Sequence, residues 1–121
     1  MLDYEITAQD LYTRLAARSS SLPAERSTAE TAVPKIIDVR EPWEFTTAHI
    51  EGSILMPMGD IPSRANQELD PDEPIVVICH AGVRSMNVTI WLRNNGFENV
   101  QSLRGGIDAW SREVDPSVPR Y

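Results

Sequence analysis

Three observations predict an α/β protein built on a central parallel sheet of about five strands, with helices on both faces. Strand-like and helical segments alternate along most of the chain, the pattern that lays helices over the two sides of a parallel sheet. The run Ile75-Val76-Val77-Ile78 is continuous and β-branched, as expected of a strand buried on both faces. The chain has 121 residues, 41% of them hydrophobic. That suffices to bury a core within one domain, residues 1–121, without disulfide staples.

In chain order, the first helix is expected to start near Ala8. Thr7 followed three residues later by Asp10 has the form of a capping box, and Ile6 with Leu11 fits the hydrophobic staple around it. The helix runs through Leu11, Leu15 and Ala16 to about Arg18. Residues 19–34, SSSLPAERSTAETAVP, contain two prolines and little apolar periodicity. They read as a flexible surface insertion, the alternative being a partner-binding loop. Lys35 to Arg40 reads as a strand ending in charge, and Pro42 suits the first turn of a short helix from Trp43 to Ala48. Ser53 to Met56 is a second short strand. Asp60 with Pro62 opens a helical stretch toward Leu69, and Asp70 to Pro74 is a turn.

After Ile78 comes the segment Cys79-His80-Ala81-Gly82-Val83-Arg84-Ser85, then an amphipathic helix with Val88, Trp91 and Leu92 pointing inward. Asn94-Asn95-Gly96 ends that helix, Gly96 being placed for a left-handed cap. A last strand, Val100 to Leu103, leads through the tight turn Gly105-Gly106 into a helix from Ile107 to Arg112, with Trp110 packed beneath the turn. The closing DPSVPRY is not regular helix. Trp43, Phe45 and Trp91 read as core or rim packing, and Met56 and Met58 as core filling. His49 reads as a hydrogen-bonded structural residue before a turn at Gly52.

Composition narrows the function classes. Lys and Arg total 11 against 18 Asp and Glu, a formal charge of -7, which argues against a nucleic-acid or anionic-membrane binder. Cys79 is the only cysteine, so no intramolecular disulfide, CxxC pair or cysteine-rich zinc site is possible. With two histidines, His49 and His80, no histidine-built metal centre is expected. The opening MLDYEITAQDL lacks the positive start and apolar stretch of a signal peptide, and no run approaches the ~20 apolar residues of a membrane span. The expectation is a cytoplasmic, reducing compartment in which Cys79 stays a free thiol.

Cys79 sits where a buried strand ends and a helix begins, the edge at which parallel α/β folds bind ligands. Small residues and Gly82 let backbone N–H groups converge there, and with the helix N-terminus they stabilise negative charge at the loop's centre. Such a field favours a thiolate, the nucleophilic form of a thiol. Arg84 adds fixed positive charge, either binding an anion or bracing the loop from behind. Ser85 is a hydroxyl near the helix start with a sulfur anion in reach. A thiolate generated by backbone dipoles needs no base, so His80 is not expected to move a proton.

The segment CHAGVRS resembles the active-site loop of the rhodanese family of sulfurtransferases. The likeness extends through IIDVREPWEF (residues 36–45), HIEGSI (49–54), IVVICHAGVRS (75–85) and LRGGIDAW (103–110), four ordered motifs where any one alone is weak. It implies a single rhodanese-like domain working by double displacement. Cys79 would take the outer sulfur of thiosulfate, or a persulfide sulfur, and pass it to cyanide or a thiol, with ping-pong kinetics. The amides of His80, Ala81, Gly82, Val83, Arg84 and Ser85 would hold the anionic donor and the persulfide. Asp38 and Arg40 would shape the surroundings; the alternative is a structural ion pair involving Glu44. With no second thiol to resolve the persulfide, sulfur must leave to an outside acceptor. No metal or organic cofactor is implied. A sulfur-relay module serving protein partners, or a catalytically idle binding domain, would use the same scaffold. Related phosphatases and arsenate reductases carry five residues between Cys and Arg, and this loop has four, so that chemistry is disfavoured. DPSVPRY also resembles the end of rhodanese domains fused to ubiquitin-activating-like enzymes; no adenylating domain is visible, so that function is not carried over.

Overall fold

Ile75–Ile78 (β4) is the middle strand of a five-stranded, wholly parallel sheet in a computed structural model that describes residues 3–20 and 33–121. The other strands are Glu5–Ile6 (β1), Lys35–Asp38 (β2), Ile54–Leu55 (β3) and Val100–Leu103 (β5), in the order β1-β5-β4-β2-β3. All four β4 residues are buried because both faces are covered. Side-chain alternation along the strand divides the core in two. Ile75, Val77 and Cys79 join Ile37, Val39, Val88, Leu92 and Val100 on one face. Val76 and Ile78 join Leu11, Ile36, Leu103, Ile107 and Trp110 on the other. The first layer is closed by helices Ile61–Glu68 (α3) and Val83–Asn94 (α4), the second by Ala8–Ser20 (α1) and Gly106–Glu113 (α5).

Each element has a local cause. The Asp10 N–H donates to Thr7 Oγ1 at 3.1 Å, the expected cap of α1, and Ile6 and Leu11 are both buried in one cluster. Pro42 opens helix Pro42–Thr47 (α2), where the Glu41 N–H donates to Glu44 Oε1 at 3.0 Å. Gly96, at φ +96°, ends α4, and the Phe97 N–H closes onto the Leu92 carbonyl at 3.0 Å. His49 Nδ1 lies 2.9 Å from the Phe45 carbonyl with its ring stacked on Phe45, as a structural role requires.

The structure departs from expectation at several places. β1 was not anticipated: two residues carry too little pattern, and Glu5 and Ile6 become strand only by pairing with Ser102 and Leu103. The regular strands are shorter than predicted at β2 and β3, although Val39 and Met56 extend the ladder by donating to the Ile78 and Asp38 carbonyls. α1 reaches Ser20 instead of Arg18; residues 21–32 of the expected insertion lie outside the described residues. α4 is not sharply amphipathic: its buried face includes Ser85 and Thr89, while Ile90 is exposed. Met56 is core, but Met58 is exposed and part of a short 3₁₀ turn, Met58–Asp60. Among the described residues no helix is long and apolar enough to cross a membrane.

Candidate functional site

Because the strands are parallel, the residues following β2, β4 and β5 meet at one sheet edge. The register Asp38↔Ile78 sets Val39 beside Cys79. Gly82, in the left-handed region at φ +109°, turns the chain from β4 into α4, a conformation that β-carbon-bearing residues resist. The turn folds the loop around Cys79, whose Sγ accepts hydrogen bonds from the backbone N–H of Gly82 at 3.1 Å and of Ser85 at 3.3 Å. Ser85 Oγ lies 3.3 Å from the sulfur and 2.7 Å from Ser102 Oγ. A thiol donates to that hydroxyl; a thiolate accepts from it, Ser102 then taking the other role. The cysteine is free and 1% exposed. This is a cradle of converging dipoles around one sulfur atom.

α5 supports the loop from the other side. Its N–H groups at Ile107 and Asp108 donate to the carbonyls of Cys79 and His80 at 2.9 and 3.1 Å. That approach needs Gly106, where a Cβ would stand 2.4 Å from the His80 oxygen and 2.5 Å from the Cys79 oxygen. The glycine pair therefore does more than turn the chain: it lets one loop rest on another.

The charged residues form a layer beside the cradle. Asp38 and Arg40 are both fully buried and joined at 2.6 Å, and Arg40 also donates to the Ala48 and Glu44 carbonyls. Burial would lower the guanidinium's pKa, but hydrogen bonds and charge from Asp38 and Tyr121 outweigh it, so the net shift is upward. Removing one partner would strand a buried charge, at a cost of about 3–5 kcal/mol. Glu44 was a candidate partner for this pair, but its carboxylate goes to Arg84 instead. The Arg84 fork and the N–H of Glu41, with Tyr121 assisting, hold the Glu44 carboxyl down at about 2 against the opposing effect of burial. Arg84, expected to add positive charge by the sulfur, thus has that charge matched by a carboxylate. The donors that reach Sγ are the amides of the loop.

Of the remaining loop residues, Val83 is 72% exposed. His80 Nδ1 is buried with no hydrogen-bond partner among the described residues, and its ring meets Tyr121 edge-on with centroids 4.5 Å apart. Sequence reasoning missed Ser102 and Tyr121. A serine inside a strand whose four residues are all buried was a usable signal for Ser102; nothing in the sequence placed Tyr121 here. Among the described residues no three His, Cys, Asp or Glu side chains gather as a metal-holding group.

Comparison with known proteins agrees with this fold. The family model of the Rhodanese-like domain matches residues 22–113. A protein named Sulfurtransferase from Allochromatium vinosum is 36% identical over 90 residues, which make up 74% of this chain and 83% of that protein. A chloroplastic Rhodanese-like/PpiC domain-containing protein of Arabidopsis thaliana is 40% identical over 90 residues, 72% of this chain; the chain spans about 30% of that relative's length. The crystal structure of a rhodanese-like domain protein from Staphylococcus aureus superposes with a TM-score of 0.74 at 28% identity, covering 98% of this chain and 99% of the other.

Proposed function

The chain belongs to the rhodanese-like domain family, and from that premise we propose that it is a sulfurtransferase carrying sulfane sulfur on Cys79 as a persulfide. The observation that carries this reading is the cradle itself: two backbone N–H groups and one hydroxyl converge on the Cys79 sulfur. The sulfurtransferase name of a relative aligned over most of its own length supports the same class. Residues 1–121 are read as one such domain.

The mechanism has two displacements. The Cys79 thiolate attacks the outer sulfur of thiosulfate; a new S–S bond forms, the old one breaks, and its electron pair leaves on sulfite. The persulfide's terminal sulfur keeps the negative charge and lies within the loop amides. An acceptor thiolate or cyanide then attacks that terminal sulfur, and the Cys79 thiolate departs as leaving group. Amides already aimed at the charge need no reorganisation in either step. With no second cysteine in the chain, the sulfur goes to another molecule. A thiol that must remain free suits a reducing, cytoplasmic setting.

Val83 in the loop and the nearby Trp43 are 72% and 62% exposed, which favours a second reading: transfer between protein persulfides, with affinity supplied by docking instead of by a small anion.

The test is intact-mass measurement after mixing with thiosulfate. The expected result is a gain of one sulfur atom, absent in Cys79→Ser. No gain from thiosulfate but gain from a protein persulfide selects the relay reading, and no gain from any sulfane donor overturns both.

A further inference from the structure

The segment following α5 carries a residue that the chemistry above does not use. It leaves the helix through a turn in which the Val118 N–H donates to the Asp115 carbonyl at 3.1 Å. Val118 is buried in the layer formed by α1 and α5, and Ser111 Oγ donates to its carbonyl. Anchored there, the chain brings Tyr121 to the edge of the sheet where Cys79 lies. The Tyr121 hydroxyl donates to Glu44 Oε2 at 2.7 Å and accepts from Arg40 Nη1 at 2.8 Å. Its ring stands edge-on to His80 and to Trp43, with centroids 4.5 and 5.9 Å apart.

One hydroxyl therefore joins two ion pairs, Asp38–Arg40 and Glu44–Arg84. The same side chain reaches the cysteine loop at both ends. It touches His80, the residue after Cys79, directly. Through Glu44 it reaches Arg84, the residue before Ser85, whose N–H points at the sulfur. Without the hydroxyl, Glu44 Oε2 keeps only the Arg84 donor, and the buried Arg40 Nη1 keeps only the Glu44 carbonyl at 3.3 Å. Each group would then lose one of its anchors and be held less firmly, and the loop would follow.

We propose that Tyr121 is a positioning residue for sulfur transfer, acting through Glu44 and His80 to keep the Gly82 and Ser85 amides aimed at the Cys79 sulfur. This rests on the sulfur-transfer reading above, so the test has one arm that depends on that reading and one that does not.

In the first arm, thiosulfate-to-cyanide transfer is measured on the full chain, with melting temperatures alongside. Tyr121→Phe, which keeps the ring on His80, is expected to lower kcat/KM for thiosulfate about fivefold, and Tyr121→Ala about twentyfold. In a Glu44→Gln background the Tyr121→Phe effect is expected to shrink to less than about twofold, because the two groups act as one unit. In the second arm, amide exchange of the segment from Cys79 to Met86 is expected to quicken about fivefold in Tyr121→Phe while β4 and β5 stay unchanged. Wild-type kcat/KM in both variants, additive effects of Tyr121→Phe and Glu44→Gln, or a lowered melting temperature with unaltered rate constants would overturn the proposal. If the wild-type chain transfers no sulfur, the functional reading fails separately. Loop exchange then decides alone: unaltered exchange overturns the positioning role, and faster exchange supports it.

Discussion

Arg84 and Glu44 meet through two hydrogen bonds, Nη1 to Oε1 at 2.8 Å and Nη2 to Oε2 at 3.0 Å. The carboxylate is nearly buried and the guanidinium a third exposed. This fork–fork contact ties the cysteine loop to α2, and it balances the one fixed positive charge that the loop carries. In a chain of formal charge -7, an anionic sulfur donor would meet favourable potential chiefly at the loop amides and the α4 N-terminus.

The pair makes stability depend on pH with a definite sign. Glu44 falls from an ordinary value of 4.5 to about 2 in the folded chain. A carboxyl with a lowered folded pKa contributes stability above its unfolded pKa and loses it as pH falls through the folded one. Between pH 4.5 and about 2, Glu44 should therefore cost the fold up to about 3 kcal/mol, less the part screened at the solvent-facing Arg84 end. Urea unfolding across that range checks this: Glu44→Gln should flatten the wild-type slope, and equal slopes would refute the assignment.

Ser85 and Ser102 form a buried hydroxyl pair behind the sulfur. Ser102→Ala should destabilise the fold by about 1 kcal/mol and leave Ser85 with the sulfur as its remaining side-chain partner. Ser85→Ala removes the hydroxyl facing Sγ and strands Ser102. Its sulfur-transfer rate should fall by roughly tenfold, more than that of Ser102→Ala, since an oriented donor at the reacting atom contributes directly. Steady-state rates on the two variants decide the order.

Gly106→Ala should damage both fold and transfer. The residue sits at φ +63°, and an added Cβ would collide with backbone oxygens of Cys79 and His80. We expect a loss of about 2–4 kcal/mol and displacement of the cradle, read as a lowered melting temperature with reduced persulfide loading. Gly59→Ala is the control. A Cβ there meets nothing within 4 Å, so its stability should stay within about 0.5 kcal/mol of wild type.

Much of this molecule is legible residue by residue. The apolar run of β4, the cap at Thr7, the proline at the start of α2 and the stop at Gly96 act over a few residues, so local pattern suffices to place them. Cys79, Gly82 and Ser85 lie within seven consecutive residues, and the turn between them gathers the amides of Gly82 and Ser85 around the sulfur. β1 was not legible, because two residues acquire strand geometry only from the strand they pair with.

The sequence by itself determined that this is a parallel α/β chain with a single thiol at the end of its central strand, since those features depend on short-range periodicity and residue identity. Tertiary structure alone decided that Arg84 pairs with Glu44 and that Tyr121 links this pair to Asp38–Arg40. Asp38 and Arg40 stand two residues apart, but Arg84 and Glu44 are separated by 40 positions and Tyr121 and Glu44 by 77, so those contacts form only once the sheet has brought the segments together. Several acidic partners were open to each arginine, and the packing of α2, the loop and the segment after α5 selected one.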